Sequence, residues 1–134
     1  MMRGLHFRRA LPTMSRAAFS LKLFAGYLFV LGLVLVVQPG LLLGVFGLET
    51  TEVWIRVVGV LAFNIGAYYW AAAACEARTV FVASVATRAL VFAAFASFAA
   101  LGLAKPVLVL FGAADLAGGL WTAAALRASP ARAA

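Results

Sequence analysis

A chain of 134 residues, 66% of them hydrophobic and only 11% charged, lacks the polar surface of a soluble domain, in which about 25% of residues carry charge. So short a chain has much surface for its volume, and the apolar area implied by a mean hydropathy of +1.09 needs lipid to cover it. The net charge of +7 does not mark a nucleic-acid binder, because the basic residues gather at the chain ends, where membrane topology accounts for them.

Residues 1–18 form a basic tail with Arg3, Arg8, Arg9 and Arg16, and Lys22 stands where the apolar run begins. A secretory signal also starts this way. The run from Leu21 to Val37 is long for one, however, and Gln38-Pro39-Gly40 is not a small-residue cleavage site. The run reads as a retained first helix over about 19–37. Met14-Ser15-Arg16 offers an alternative translation start to Met1, which an intact mass beginning at Met1 or Met2 would refute.

About 20 apolar residues cross a hydrocarbon core about 30 Å thick. Pro39-Gly40 stops the first such span. From Gly40 to Leu48 the chain is apolar but too short to cross, which predicts an interfacial or re-entrant half-helix. Helix 2 is expected over about 53–74, capped by Thr50 or Thr51 with Glu52 in the positive field of its first turn, and ending where Glu76 and Arg78 bring charge. Helix 3 follows over about 80–103. Helix 4 follows over about 106–126, with Lys105-Pro106 at its start, since proline suits a first helical turn. Residues 128–134 make a short tail. The expected fold is an all-α integral membrane four-helix antiparallel bundle, spanning 19–127, with a short interfacial half-helix after helix 1.

Lysine and arginine count the sides. Arg3, Arg8, Arg9, Arg16, Lys22, Arg78, Arg127 and Arg132 fall on one, and Arg56 and Lys105 on the other. The positive-inside rule then places both termini in the cytoplasm of a cell with an inner, cytoplasmic membrane.

Ionisable groups within hydrocarbon cost roughly 2.5–3.5 kcal/mol on insertion scales and usually face the bundle interior. At a rise of about 1.5 Å per residue, Asn64 and Asp115 lie about 15 Å from the outer end, and Tyr69, Thr122 and Arg88 about 24 Å. Gly112, Asp115, Gly119 and Thr122 share one stripe of helix 4, small and polar enough for close helix approach. Asn64 aligns with Tyr68 on helix 2, Arg56, Gly59, Phe63, Gly66 and Trp70 make a second face there, and Arg88, Phe92, Phe95 and Ala99 align on helix 3. The simplest assembly turns Asp115, Asn64, Tyr68 and Arg88 toward a common interior.

Each feature also has a plainer reading. Asp115 and Arg88 are either a ligand or proton site or a buried pair that fixes helix register, and Arg88 has the alternatives of snorkelling to the cytoplasmic surface or meeting Glu76. Tyr68, Tyr69 and Trp70, with Trp54 and Trp121, suit an interfacial aromatic belt. Glu76 and Arg78 read as a solvated turn, Cys75 as an interfacial thiol, and Phe81, Phe92, Phe95 and Phe98 as packing or lipid-facing residues.

One cysteine and one histidine, His6, leave no internal disulfide, no Cys-based cluster and no bis-histidine haem within one chain. With no P-loop, HExxH or CxxC present, neither cofactor nor metal is expected.

The segments Trp54-Ile-Arg56-Val-Val-Gly59, Gly66-Ala-Tyr68-Tyr69 and Leu110-Phe-Gly112-Ala-Ala-Asp115-Leu-Ala-Gly118-Gly119-Leu-Trp121-Thr122 resemble small bacterial four-helix membrane proteins of the DoxX-like type, over roughly residues 20–127. Some members of that group are linked to quinone-coupled oxidoreductase complexes, so the resemblance implies an accessory role beside a redox enzyme. The leading expectation is a non-enzymatic binding module or accessory subunit. Its intramembrane polar site comprises Asp115, Arg88, Asn64, Tyr68, Tyr69 and Thr122. The alternatives are a small-solute or proton-coupled transporter acting as an oligomer, although no inverted repeat is evident, and a membrane subunit of a quinone-linked oxidoreductase. The expected partners are the lipid bilayer and either a second copy or a membrane partner subunit, with no nucleic acid.

Overall fold

The computed structural model describes residues 13–48 and 52–129. The basic tail with Arg3, His6, Arg8 and Arg9, the choice of start, the capping roles of Thr50 and Thr51, and the tail beyond Ser129 with Arg132 lie outside the described residues.

Among the described residues five helices follow in order: α1 (Arg16–Val37), α2 (Pro39–Val45), α3 (Val53–Ala74), α4 (Arg78–Ala100) and α5 (Leu108–Ala128). Four of them, α1, α3, α4 and α5, are long and apolar enough to cross a membrane. They carry large hydrophobic side chains on the outer surface, Val30, Leu33, Leu90, Leu110 and Leu120 among them. A helix that is apolar all round has lipid for its solvent, and the protein is a multi-pass membrane protein in contact with the bilayer. The short α2 takes the predicted half-helix position, with proline in its first turn and Pro39 and Leu43 buried.

Local chemistry sets the ends. Ser15 caps α1, its Oγ accepting from the Ala18 amide at 3.0 Å, as N-cap hydroxyls do. Glu52 stands at the N-cap of α3 and makes no side-chain cap bond. Three helices end in the same reciprocal turn, in which the amide two residues past the cap returns to a carbonyl five residues back. These bonds are Leu48 to Leu43, Ala77 to Ala72 and Leu103 to Phe98, each 2.9 Å. The residue at the bend has positive φ, with Gly47 at 63°, Gly102 at 70° and, unusually, Glu76 at 51°. Gly102 therefore stops α4 at Ala100, short of the predicted 103. Pro106 does not open α5 but sits in the tight turn before it, where the Val109 amide donates to the Pro106 carbonyl at 3.0 Å.

The spans form two tight pairs, α1 with α3 and α4 with α5, joined along α1 and α5. Across the bundle the order is α3, α1, α5, α4. The α1–α3 contact is close because Gly32 and Gly59 face each other: a Cβ on Gly32 would lie 2.6 Å from the Gly59 carbonyl oxygen. Helices α3 and α4 touch little, chiefly beside their connecting turn, where Ala72, Ala73 and Phe81 join the buried cluster with Ala17, Ala18, Leu21 and Ala125.

Polar side chains fasten the helix ends. The Ser15 amide and hydroxyl donate to the two Glu76 carboxylate oxygens at 2.7 and 2.6 Å, clipping the start of α1 to the α3–α4 turn. Arg78 Nη1 donates to the Ser129 carbonyl at 2.9 Å. At the other end Arg56 Nη1 donates to the Val36 carbonyl, and Lys105 Nζ to the Gly47 carbonyl at 2.9 Å. Cations there meet free carbonyls where the helix dipole favours positive charge.

Candidate intramembrane binding site

Because α3 and α4 stand apart, they form the walls of a cleft of about 800 Å³ whose floor is α1 and α5. Its lining is apolar along most of its length, with Leu28, Leu31 and Leu35 from α1, Ile55 and Val58 from α3, and Val91 from α4. The polar residues Tyr68, Tyr69, Ser84, Thr87 and Arg88 gather toward one end, nearer the α3–α4 turn, and Asp115 lies beyond them on α5. A mostly apolar concavity with a few convergent polar groups is the usual form of a ligand site, and its volume falls within the usual range of about 300–1,000 Å³.

Arg88 is the centre of the polar end. Its side chain is 1% exposed although it lies on a membrane-spanning helix. The guanidinium carbon sits 3.6 Å from the centre of the Phe24 ring and 5.1 Å from that of Tyr69, a cation–π setting that partly offsets lost hydration. Nη1 reaches Thr122 Oγ1 at 3.5 Å, at the outer limit for such a bond. Nε and Nη2 are buried and have no hydrogen-bond partner among the described residues.

Thr122 ties this group to the bundle seam. Its hydroxyl donates to the Gly118 carbonyl at 3.0 Å and lies 3.1 Å from Ser20 Oγ, which donates to the Ala17 carbonyl at 2.8 Å. The small residues of α5 make room for the arginine: a Cβ on Gly119 would be 3.3 Å from Arg88 Cβ, and one on Gly118 would be 3.0 Å from Nη1 and 2.8 Å from the Phe24 ring.

The structure therefore brings together Arg88, Tyr69 and Thr122, and places Asp115, half-buried, in the same cleft. No hydrogen bond joins Asp115 to Arg88. Arg88 does not snorkel, because it is buried, and it does not meet Glu76, which Ser15 holds. Tyr68 is 70% exposed and stands at the rim of the cleft.

Asn64 corrects the sequence reading. It is exposed, does not line the cleft and does not share an interior with Asp115. Its alignment with Tyr68 holds, but Tyr68 stands at the cleft rim and Asn64, one turn away, lies outside it. Gly59 and Gly66 seat α3 on α1, Ile65 faces the cleft, and Asn64 lies about 100° around the helix from Ile65. The expected aromatic belt also divides. Trp54 and Trp121 are exposed, Trp70 takes Lys22 Nζ over its ring at 4.4 Å, and Tyr69 turns inward to Arg88.

Phe24, Tyr27 and Ser20 were not singled out from the sequence, yet they complete the site. Phe24 and Tyr27 pack ring to ring at 5.3 Å and both line the cleft. An aromatic in a uniformly apolar helix gives no periodic signal of its own. Ser20, the one hydroxyl residue in the first two turns of α1, was the available hint. Comparison with known proteins finds no matching family model, no matching curated protein and no matching solved structure.

Proposed function

We propose that this chain is a non-enzymatic intramembrane binding module, or the accessory subunit of a membrane complex, that holds a lipid-soluble molecule in the cleft between α3 and α4. The observation that carries the reading is Arg88: a guanidinium buried on the cleft wall with two nitrogens unpartnered. Burying a charge whose hydrogen-bonding groups are left unsatisfied costs several kcal/mol, and a chain with no use for the group would be more stable without it. Within this proposal the orientation has both termini in the cytoplasm of a bacterial inner membrane. Its support is that Arg16, Lys22, Arg78 and Arg127 lie toward one end of the bundle and Arg56 and Lys105 toward the other. Kinship with the DoxX-like group belongs to the same proposal and rests on the order of four helices with the motif segments on α3 and α5.

The test is native mass spectrometry of the protein purified in mild detergent, compared with Ala83→Trp, which places an indole in the cleft from an exposed position on α4. The wild type should carry a bound small molecule that the variant lacks. A wild type with nothing bound, or a variant with the same occupancy, would overturn the reading.

A further inference from the structure

We infer that the cleft selects amphiphiles with an oxyanion head, a carboxylate or a phosphate, gripped by the Nε–Nη2 edge of Arg88. This rests on the binding-module reading above and names the ligand class for that site. The two unpartnered nitrogens of Arg88 are Nε and Nη2. These share one edge of the guanidinium, and their parallel N–H bonds are spaced to meet two oxygens of a carboxylate or phosphate. The opposite side is occupied, with Nη1 directed at Thr122 Oγ1. The guanidinium carbon lies 3.6 Å from the Phe24 ring centre and 5.1 Å from that of Tyr69, so the two rings cover the group and the Nε–Nη2 edge is the part of it that still lacks a partner. An oxyanion there supplies both missing bonds and a negative charge in direct contact with the guanidinium, which Asp115, not hydrogen-bonded to Arg88, does not. A neutral carbonyl would supply one acceptor and no charge.

The surroundings fix the rest of the ligand. Asp115, the other charged residue lining the cleft, is four residues from Gly119, which packs against Arg88. That is about 6 Å along α5, so a head on the Arg88 edge need not contact it. From that level the walls are apolar, with Leu31, Leu35, Ile55, Val58 and Leu108 in reach of a hydrocarbon chain. The gap between α3 and α4 opens sideways into the bilayer, the route by which an amphiphile arrives. Both free nitrogens are fully buried, so the head must displace a ring, and Phe24, which lies against the guanidinium and lines the cleft, is the one in place to move.

The experiment titrates the full chain in dodecyl maltoside micelles with two matched pairs, oleic acid against methyl oleate and dioleoyl phosphatidate against dioleoylglycerol, and reads occupancy by native mass spectrometry. One member of each pair has the oxyanion and the other keeps the same chains without it. The acid should bind about ten- to a hundredfold more tightly than its uncharged partner in at least one pair, and the pair that shows the difference identifies carboxylate or phosphate as the head. The preference should disappear in Arg88→Gln and fall in Arg88→Lys, which keeps the charge and loses the fork. The wild-type comparison decides the matter even if a variant fails to fold. Equal binding of acid and uncharged partner in both pairs, or a preference that survives Arg88→Gln, overturns the oxyanion assignment and leaves the binding module standing. If no probe binds and nothing co-purifies, or the cleft is closed by a second copy in a stable dimer, the module reading falls as well.

Discussion

Replacing Gly32 by alanine tests the close approach of α1 and α3 that seats one wall of the cleft on its floor. The added methyl would sit 2.6 Å from the Gly59 carbonyl oxygen, 2.8 Å from the Phe63 amide nitrogen and 2.9 Å from Phe63 Cβ. Carbon and carbonyl oxygen approach comfortably to about 3.3 Å, so the helices must part by roughly 0.7 Å at this point. Two of the three obstructing atoms are backbone, which cannot rotate away. A radial gap of that size forfeits between about a quarter and a half of each contact's dispersion energy, and overpacking of this kind costs about 1–3 kcal/mol. The gain from alanine's helix propensity, at most about 1 kcal/mol, does not offset the upper part of that range. Gly26→Ala is the control. Nothing lies within 4 Å of a Cβ there, so it keeps the propensity gain and meets no wall. Thermal unfolding in detergent, followed by circular dichroism, should place Gly32→Ala clearly below wild type and Gly26→Ala at or above it. Equal midpoints for the two variants would show that the α1–α3 spacing is loose and that the argument from close approach is wrong.

Three further outcomes are expected. Glu76→Gln should destabilise by about 1 kcal/mol in the same unfolding assay, because it weakens the paired acceptors for the Ser15 amide and hydroxyl; Glu52→Gln, at an N-cap without a side-chain bond, should lose only the dipole contribution of about 0.3 kcal/mol. Cys75, the single cysteine, is exposed in the α3–α4 turn, so a membrane-impermeant maleimide should label it in inside-out vesicles and spare it in intact cells, the reverse pattern contradicting the orientation. Arg88→Met should leave the ligand-free protein as stable as wild type or raise its stability by about 1 kcal/mol while abolishing amphiphile binding. A loss of stability comparable to that from Gly32→Ala would make the guanidinium a structural group.

The four spans and the half-helix could be read from hydropathy and from Pro39-Gly40, because bilayer thickness leaves few solutions for apolar runs of this length. Gly102 was the visible stop of α4 that the apolar run carried past, whereas the bend at Glu76 had no such sign, since a glutamate at positive φ depends on Ser15 from another part of the chain. The site was legible in depth and only partly in direction. Arg88, Tyr69 and Thr122 were assigned one level by counting residues, and they do meet. Asn64 failed because periodicity says which residues share a face but not which face a neighbouring helix takes. That choice was made by Gly59 and Gly66 against α1. Gly32, the partner of Gly59, lay unremarked in an apolar helix in which only its position, not its surroundings, distinguishes it.

The helix order explains why a cleft exists at all. Small residues bring α1 to α3 at Gly32, Gly59 and Gly66, and α4 to α5 at Gly112 and Gly119. The α1–α5 seam closes through Ser20, Thr122 and the fit of Phe24 against Gly118. Helices α3 and α4 are neighbours in sequence but present each other with Ile65, Tyr68, Val80 and Ala83 across the cleft, and no matched pair of small faces draws them together. In water such an apolar gap would collapse, but in a bilayer the lipid chains are as apolar as the walls, so hydrophobicity gives no reason to close it. For the same reason the apolar walls cannot tell one occupant from bulk lipid. Discrimination has to come from the polar end of the cleft, where the arginine edge carries the positive charge. A variant that keeps every apolar wall and removes only that edge should therefore still admit acyl chains while losing its preference among heads, which separates filling of the cleft from recognition within it.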